Sequence, residues 1–344
     1  MQFDIKAVNG ELTEALSHKI DFKTKPIGAL GILEKTALKI GQIQQTLSPE
    51  IKKPAIVVVA GDHGVTEEGI SPYPQEVTFQ MVMNFLQGGA AINVFARQHD
   101  ITLKIADAGV NYDFNGIEGL ENVKVRETGT ANFAKEMAMS VEECEQALAN
   151  GSRLVEEAHQ RGSNIVGFGE MGIGNTTAAA ALLSVYGDHD PSLTVGKGTG
   201  LDKAGVQNKA KVIANAIELH GKPATGIETL ATYGGLEIAT IAGGMLKAAE
   251  LGMIILVDGF IITSALMAAH SINPNVLDYC VFCHKSNEQG HRLMLEYFKA
   301  EPLLDLELRL GEGTGAALAL PLVKSAVNFL NEMASFEDAG VSNK

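Results

Sequence analysis

Two glutamates sit in matching surroundings, Glu170 in Gly169-Glu-Met-Gly172 and Glu312 in Gly311-Glu-Gly-Thr-Gly315. Each follows a short apolar run and is framed by glycines, so each is expected in a turn at a strand end, where side chains reach into a cleft. A carboxylate placed there can serve as a general base or steady positive charge on a sugar ring. For either one alone the competing role is to cap a helix N-terminus. Two in like frames favour chemistry.

The segment Gly172-Ile-Gly174-Asn175-Thr176-Thr177 runs directly into Ala178 to Leu183, a strong helix former. Its glycines let backbone amides approach an anion, its hydroxyls donate, and the following helix presents its positive end, which together make a phosphate cradle. A glycine turn with a threonine cap explains the segment equally well when it is taken alone. No Gly-x-x-x-x-Gly-Lys-Ser/Thr occurs, so a kinase-type phosphate loop is excluded. Gly167-Phe-Gly169-Glu-Met-Gly172 has the spacing of a dinucleotide fingerprint. The acid expected about 20 residues later has only Asp188 and Asp190 as candidates, and both fall in a loop, which weighs against a dehydrogenase.

Other chemical residues are less pointed. Asp62-His63 in Gly61-Asp-His-Gly64 has no His-Glu-x-x-His pair or cysteine cluster to complete a metal site, so a turn or ligand contact is expected. Cys280-Val-Phe-Cys283-His284 spells a haem attachment pattern, but its apolar setting reads as a buried strand with core cysteines. Phe79, Met81, Val82, Met83 and Phe85 follow Ser71-Pro-Tyr-Pro74 and form an apolar cluster. Helix core is the default for that stripe. It also suits the wall of a pocket for a flat apolar molecule.

These residues need elements to hold them. Apolar runs rich in Val and Ile recur before glycine with an acid or amide: Ala55 to Ala60, Ile101 to Ala106, Ile165 to Phe168, Met253 to Val257 and Leu304 to Leu310. Most are continuous rather than alternating, which marks strands covered on both faces of a parallel sheet. An α/β, Rossmann-like sheet flanked by helices follows, with an acidic helix around Val141 to Arg161. Leu12 to Leu47 and Ala316 to Met333 carry helical spacing without a clear strand, so a smaller helical domain built from both termini is expected. The division is residues 50–312 for the large domain and 1–49 with 313–344 for the small one.

Of the 344 residues, 46% are hydrophobic, enough for a large core. With 41 acidic against 27 basic residues and a net charge of -14, nucleic acid and membrane surfaces are not expected partners. The longest apolar stretch, Met253 to Ala269, has Asp258 near its middle and suits a buried strand and helix better than a membrane span. Three cysteines and a charged segment from Met1 to Lys25 without a signal sequence point to the cytoplasm.

Taken in order along the chain, Gly61-Asp-His-Gly-Val65, Tyr73-Pro-Gln-Glu-Val-Thr78, Gly88-Gly-Ala-Ala-Ile-Asn93, Gly169-Glu-Met-Gly-Ile-Gly-Asn-Thr-Thr177, Asp258-Gly-Phe260 and Leu308-Arg-Leu-Gly-Glu-Gly-Thr-Gly-Ala-Ala317 resemble the nicotinate-nucleotide:dimethylbenzimidazole phosphoribosyltransferases. That resemblance implies transfer of a ribose phosphate from nicotinate mononucleotide to a benzimidazole-type base, with Glu312 as general base and Glu170 as second carboxylate. It implies that Gly172, Gly174, Asn175, Thr176, Thr177, Lys209, Ser286 and Gly313 hold the nucleotide and its phosphate. The base would lie among Tyr73, Gln80, Met81, Met171 and Leu310. The resemblance further implies a homodimer that needs neither metal nor cofactor. The rival reading is a nucleotide-binding regulator that has lost its chemistry. Retention of both glutamates weighs against it.

Overall fold

The computed structural model describes residues 2–198 and 200–342. Its centre is one parallel sheet of six strands: β1 (Ala55–Gly61), β2 (Thr102–Gly109), β3 (Leu120–Asn122), β4 (Ile165–Met171), β5 (Ile254–Val257) and β6 (Cys280–Phe282). The order is β3-β2-β1-β4-β5-β6. Chain order reverses between β1 and β4, so the connections leave toward opposite faces there and open a crevice at the strands' carboxyl ends. Every residue of β1 and β5 is buried, the physical counterpart of their unbroken Val-Ile runs.

Helices cover both faces. Val141–Gln160 and Leu236–Glu250 touch backbone to backbone, since a Cβ on Gly151 would lie 1.7 Å from the Thr240 carbonyl oxygen and one on Gly243 2.0 Å from that of Leu148. The helix Thr314–Glu332 starts immediately after the Glu312 turn. Ala316, Ala317, Leu320 and Val323 enter the main core. Farther along, Ala326 and Leu330 join Leu16, Ile20 and Ala37 in a separate small core. Those last residues come from the helices Thr13–Asp21 and Ile32–Ile43.

One expected strand is absent among the described residues. Leu304 to Leu310 runs beside the segment that follows β6, the Leu304 amide donating to the Cys283 carbonyl at 3.0 Å and the Lys285 and Asn287 amides to the Leu304 and Leu308 carbonyls at 2.8 Å, but it forms one isolated bridge, His284 to Leu304, and no strand. Its alternating leucines imitate a strand, yet Leu306 and Leu310 are more than half exposed and the left-handed Glu307 interrupts the ladder. Conversely, β3 is three residues long with Leu120 its one apolar residue, too short for a periodic signal.

Candidate active site

A cleft of about 680 Å³ opens at the carboxyl ends of β4, β5 and β6. Glu170 and Met171 end β4, Asp258 follows β5, His284 follows β6, and Glu312 enters from the turn before Thr314–Glu332. The sheet thereby gathers three carboxylates scattered along the sequence.

Backbone proximity fixes their arrangement. The Glu312 amide donates to Glu170 Oε1 at 3.3 Å, and Asn175 Nδ2 donates to Glu170 Oε2. A Cβ on Gly169 would lie 2.2 Å from the Glu312 carbonyl oxygen, and one on Gly311 2.1 Å from Glu170 Oε1. Glycine is therefore required on both sides of the contact, and Gly311 also has φ +85°. Glu312 itself holds φ +64°, a conformation uncommon for a non-glycine residue. The glycines of the dinucleotide-like spacing thus serve close packing within β4 rather than a turn around a pyrophosphate.

Burial removes the carboxylates from water. It pushes Glu170 well above the ordinary range, helped by the charges of Asp258 and Glu237, while the Glu312 amide pulls the other way. Burial also raises Glu312, with the Ile92 amide opposing and Asp258 adding to the rise. Asp258 is raised by burial too, against the attraction of His284 and the amides of Ala316, Gly315 and Gly313. Its Oδ1 accepts from the Ala316 amide at 2.9 Å and lies 3.5 Å from His284 Nε2. Glu312 Oε2 is buried without a hydrogen-bond partner among the described residues, an unsatisfied acceptor at the edge of the cleft.

Next to Glu170, Gly172, Ile173, Asn175 and Thr176 line the cleft at the start of the helix Asn175–Gly187. Gly174 caps this helix with φ +101°. The helix N-terminus supplies partial positive charge there. Lys209 is 2% exposed, and its Nζ donates to Thr176 Oγ1 at 3.1 Å. Desolvation lowers its pKa to about 8. Ser286 lines the same wall, its amide donating to His291 Nδ1 at 2.8 Å.

Comparison with known proteins agrees with this geometry. A family model described as "Phosphoribosyltransferase" matches residues 5–341. The nicotinate-nucleotide--dimethylbenzimidazole phosphoribosyltransferase of Dechloromonas aromatica is 54% identical over 99% of both chains. That of Aromatoleum aromaticum is 52% identical over the full length of both. The crystal structure of CobT from Thermus thermophilus superposes with a TM-score of 0.94 at 43% identity, covering 97% of this chain and 100% of that one. The chain belongs to this phosphoribosyltransferase family.

Within the phosphoribosyltransferase, ten of the residues singled out from sequence share the cleft: Glu170, Glu312, Gly172, Asn175, Thr176, Ser286, Tyr73, Met81, Met171 and Leu310. Lys209 stands directly behind Thr176. Others lie farther back. A Cβ on Gly174 would meet His63 and Thr66, Gly313 backs onto Phe168 and Ile56, and Thr177 is fully buried. Gln80 is exposed on the helix Val77–Leu86, outside the cleft lining.

Sequence reasoning assigned no site role to His284, Glu288 or Arg309, and expected Asp62-His63 to form a turn or ligand contact. His63 is fully buried, with Nε2 2.7 Å from Glu237 Oε1. Burial opposes its charged form, but Glu237 and Asp62 outweigh that and raise its pKa. His63 is thus an ion-pair partner beneath the cradle. Cys280 and Cys283 are buried and free, their thiols turned to the Val276 and Val281 carbonyls. Burial pushes the Cys280 thiol up to about 12, far from reactivity.

Among the described residues no helix is long and apolar enough to cross a membrane.

Proposed function

We propose that the chain transfers the 5-phosphoribosyl group of nicotinate mononucleotide to 5,6-dimethylbenzimidazole or a related base, giving α-ribazole 5'-phosphate and nicotinate in the nucleotide-loop branch of cobalamin synthesis. One observation carries this reading: two buried carboxylates with raised pKa values share a single partly apolar cleft with an anion cradle. The phosphate sits on the helix N-terminus with Lys209 behind it, and the flat base lies between Met81, Met171 and Leu310.

Glu312 takes the N–H proton of the azole through its unpartnered oxygen. The other ring nitrogen attacks the anomeric carbon from the face opposite nicotinate. The bond to the pyridinium nitrogen breaks, its electron pair neutralises that ring, and the sugar inverts. A raised pKa suits Glu312 to this task, since a base works best with a pKa near the operating pH. Glu170 is shifted further and acts as the second carboxylate. The pyridinium charge of the bound nucleotide draws it back toward its ionised form, where it stabilises the positive charge developing on the ribose.

The reading also takes the protein to work in the cytoplasm, consistent with three buried free thiols, and as a homodimer, which light scattering on purified protein tests. Incubation with nicotinate mononucleotide and a panel of benzimidazoles, adenine and phenols tests the reaction. Base-dependent release of nicotinate with an α-riboside phosphate is expected. Nucleotide binding without product across the panel supports a regulator instead.

A further inference from the structure

The cleft has a one-sided charge inventory. Five carboxylates line it, Glu170, Asp258, Glu288, Glu307 and Glu312, and the only lysine or arginine among its described lining residues is Arg309. Arg309 is exposed and makes no hydrogen bond or ion pair among the described residues. It directly precedes Leu310 of the apolar wall, whereas Lys209 lies beyond Thr176 at the cradle.

A nicotinate nucleotide carries two anions held apart by the ribose and the pyridinium ring. The phosphate is met by the helix end and Lys209. The ring carboxylate enters a cleft whose lining offers it no lysine or arginine but Arg309, and a desolvated anion needs a partner. A guanidinium offers a planar fork matched to a carboxylate. We propose that Arg309 binds the carboxylate of the nicotinate ring and selects the acid nucleotide over its amide analogue. This rests on the phosphoribosyl-transfer reading above. The interaction persists after the glycosidic bond breaks, so Arg309 also holds the departing nicotinate.

The test compares wild type, Arg309→Gln and Arg309→Lys with nicotinate mononucleotide and nicotinamide mononucleotide, using 5,6-dimethylbenzimidazole as acceptor. Because Arg309 is exposed and unpartnered, the variants are expected to fold as wild type does. Arg309→Gln should raise KM for the nicotinate nucleotide roughly ten- to hundredfold, as expected for loss of a charge-assisted hydrogen bond. KM for the amide nucleotide should move by no more than about twofold, the scale of an exposed charge contact. Arg309→Lys should fall between. Inhibition by free nicotinate should weaken in parallel. Equal changes for both nucleotides, or none, would overturn the assignment while leaving the reaction intact. A wild-type enzyme that makes no riboside phosphate from either nucleotide would remove the underlying reading and Arg309 with it.

Discussion

At Glu312 burial and the charge of Asp258 raise the carboxyl above its ordinary range, so the ionised base forms at higher pH than in a free glutamate. Only the ionised form accepts the azole proton, so turnover should rise as pH climbs through a pKa above the ordinary carboxylate range near 4.3. Glu312→Gln keeps the shape and removes the basic oxygen. It should lower kcat by roughly 10² to 10⁴ with the nucleotide KM little changed, and lose the acidic limb of the pH profile. Near-normal turnover with an imidazole base would sink the assignment. Lys209 titrates in the opposite sense. With a pKa lowered to about 8 it loses its charge as pH rises, and kcat/KM for the nucleotide should fall above that point. Lys209→Met should have a low, pH-independent kcat/KM in that range. Both glutamates were legible in the sequence because glycines frame them. The Asp258–His284 contact was not, since it joins residues that only the pairing of β5 with β6 brings together.

Elements, not single side chains, decide how closely the two glutamates approach. β4 and the turn before Thr314–Glu332 meet through Gly169 and Gly311, neither of which has room for a methyl group. Gly311→Ala would combine a strained φ of +85° with a Cβ 2.1 Å from Glu170 Oε1. The turn must move, and Glu312 moves with it. We expect a fall in kcat of about 10²-fold, the scale of a 1 Å misplacement of a catalytic group, with a stability loss of about 1–3 kcal/mol. Kinetics beside denaturant melts separate the two, and full activity would show that the turn can yield. The same scale explains what the sequence concealed. Buried strands announced themselves by continuous apolar runs, whereas Leu304 to Leu310 satisfied the period-2 rule but keeps only one bridge beside the segment after β6, because Glu307 turns left-handed within it.

Across the whole molecule, the parallel α/β architecture could be read from recurring apolar runs. The contact between the chain termini depends on where Thr314–Glu332 crosses out of the main core. Nor did local spacing reveal that the carboxyl end of β1 carries a buried ion pair, since Glu237 lies 174 residues from His63. That pair ties β1 to the helix Leu236–Glu250 beneath the cradle and links global stability to pH. His63 has a folded-state pKa above its unfolded value near 6.5. Its contribution is therefore complete below that pH and lost as pH rises through the raised value. Removing one partner alone leaves a buried charge unpaired, at about 3–5 kcal/mol, so the informative variant replaces both. His63→Gln combined with Glu237→Gln should flatten the decline of Tm as pH rises above about 6.5, where a histidine of raised pKa loses its proton. The acids raised by burial begin to ionise from lower pH and remain in both proteins. Melting curves of equal slope would show that His63 carries no charge in the folded state.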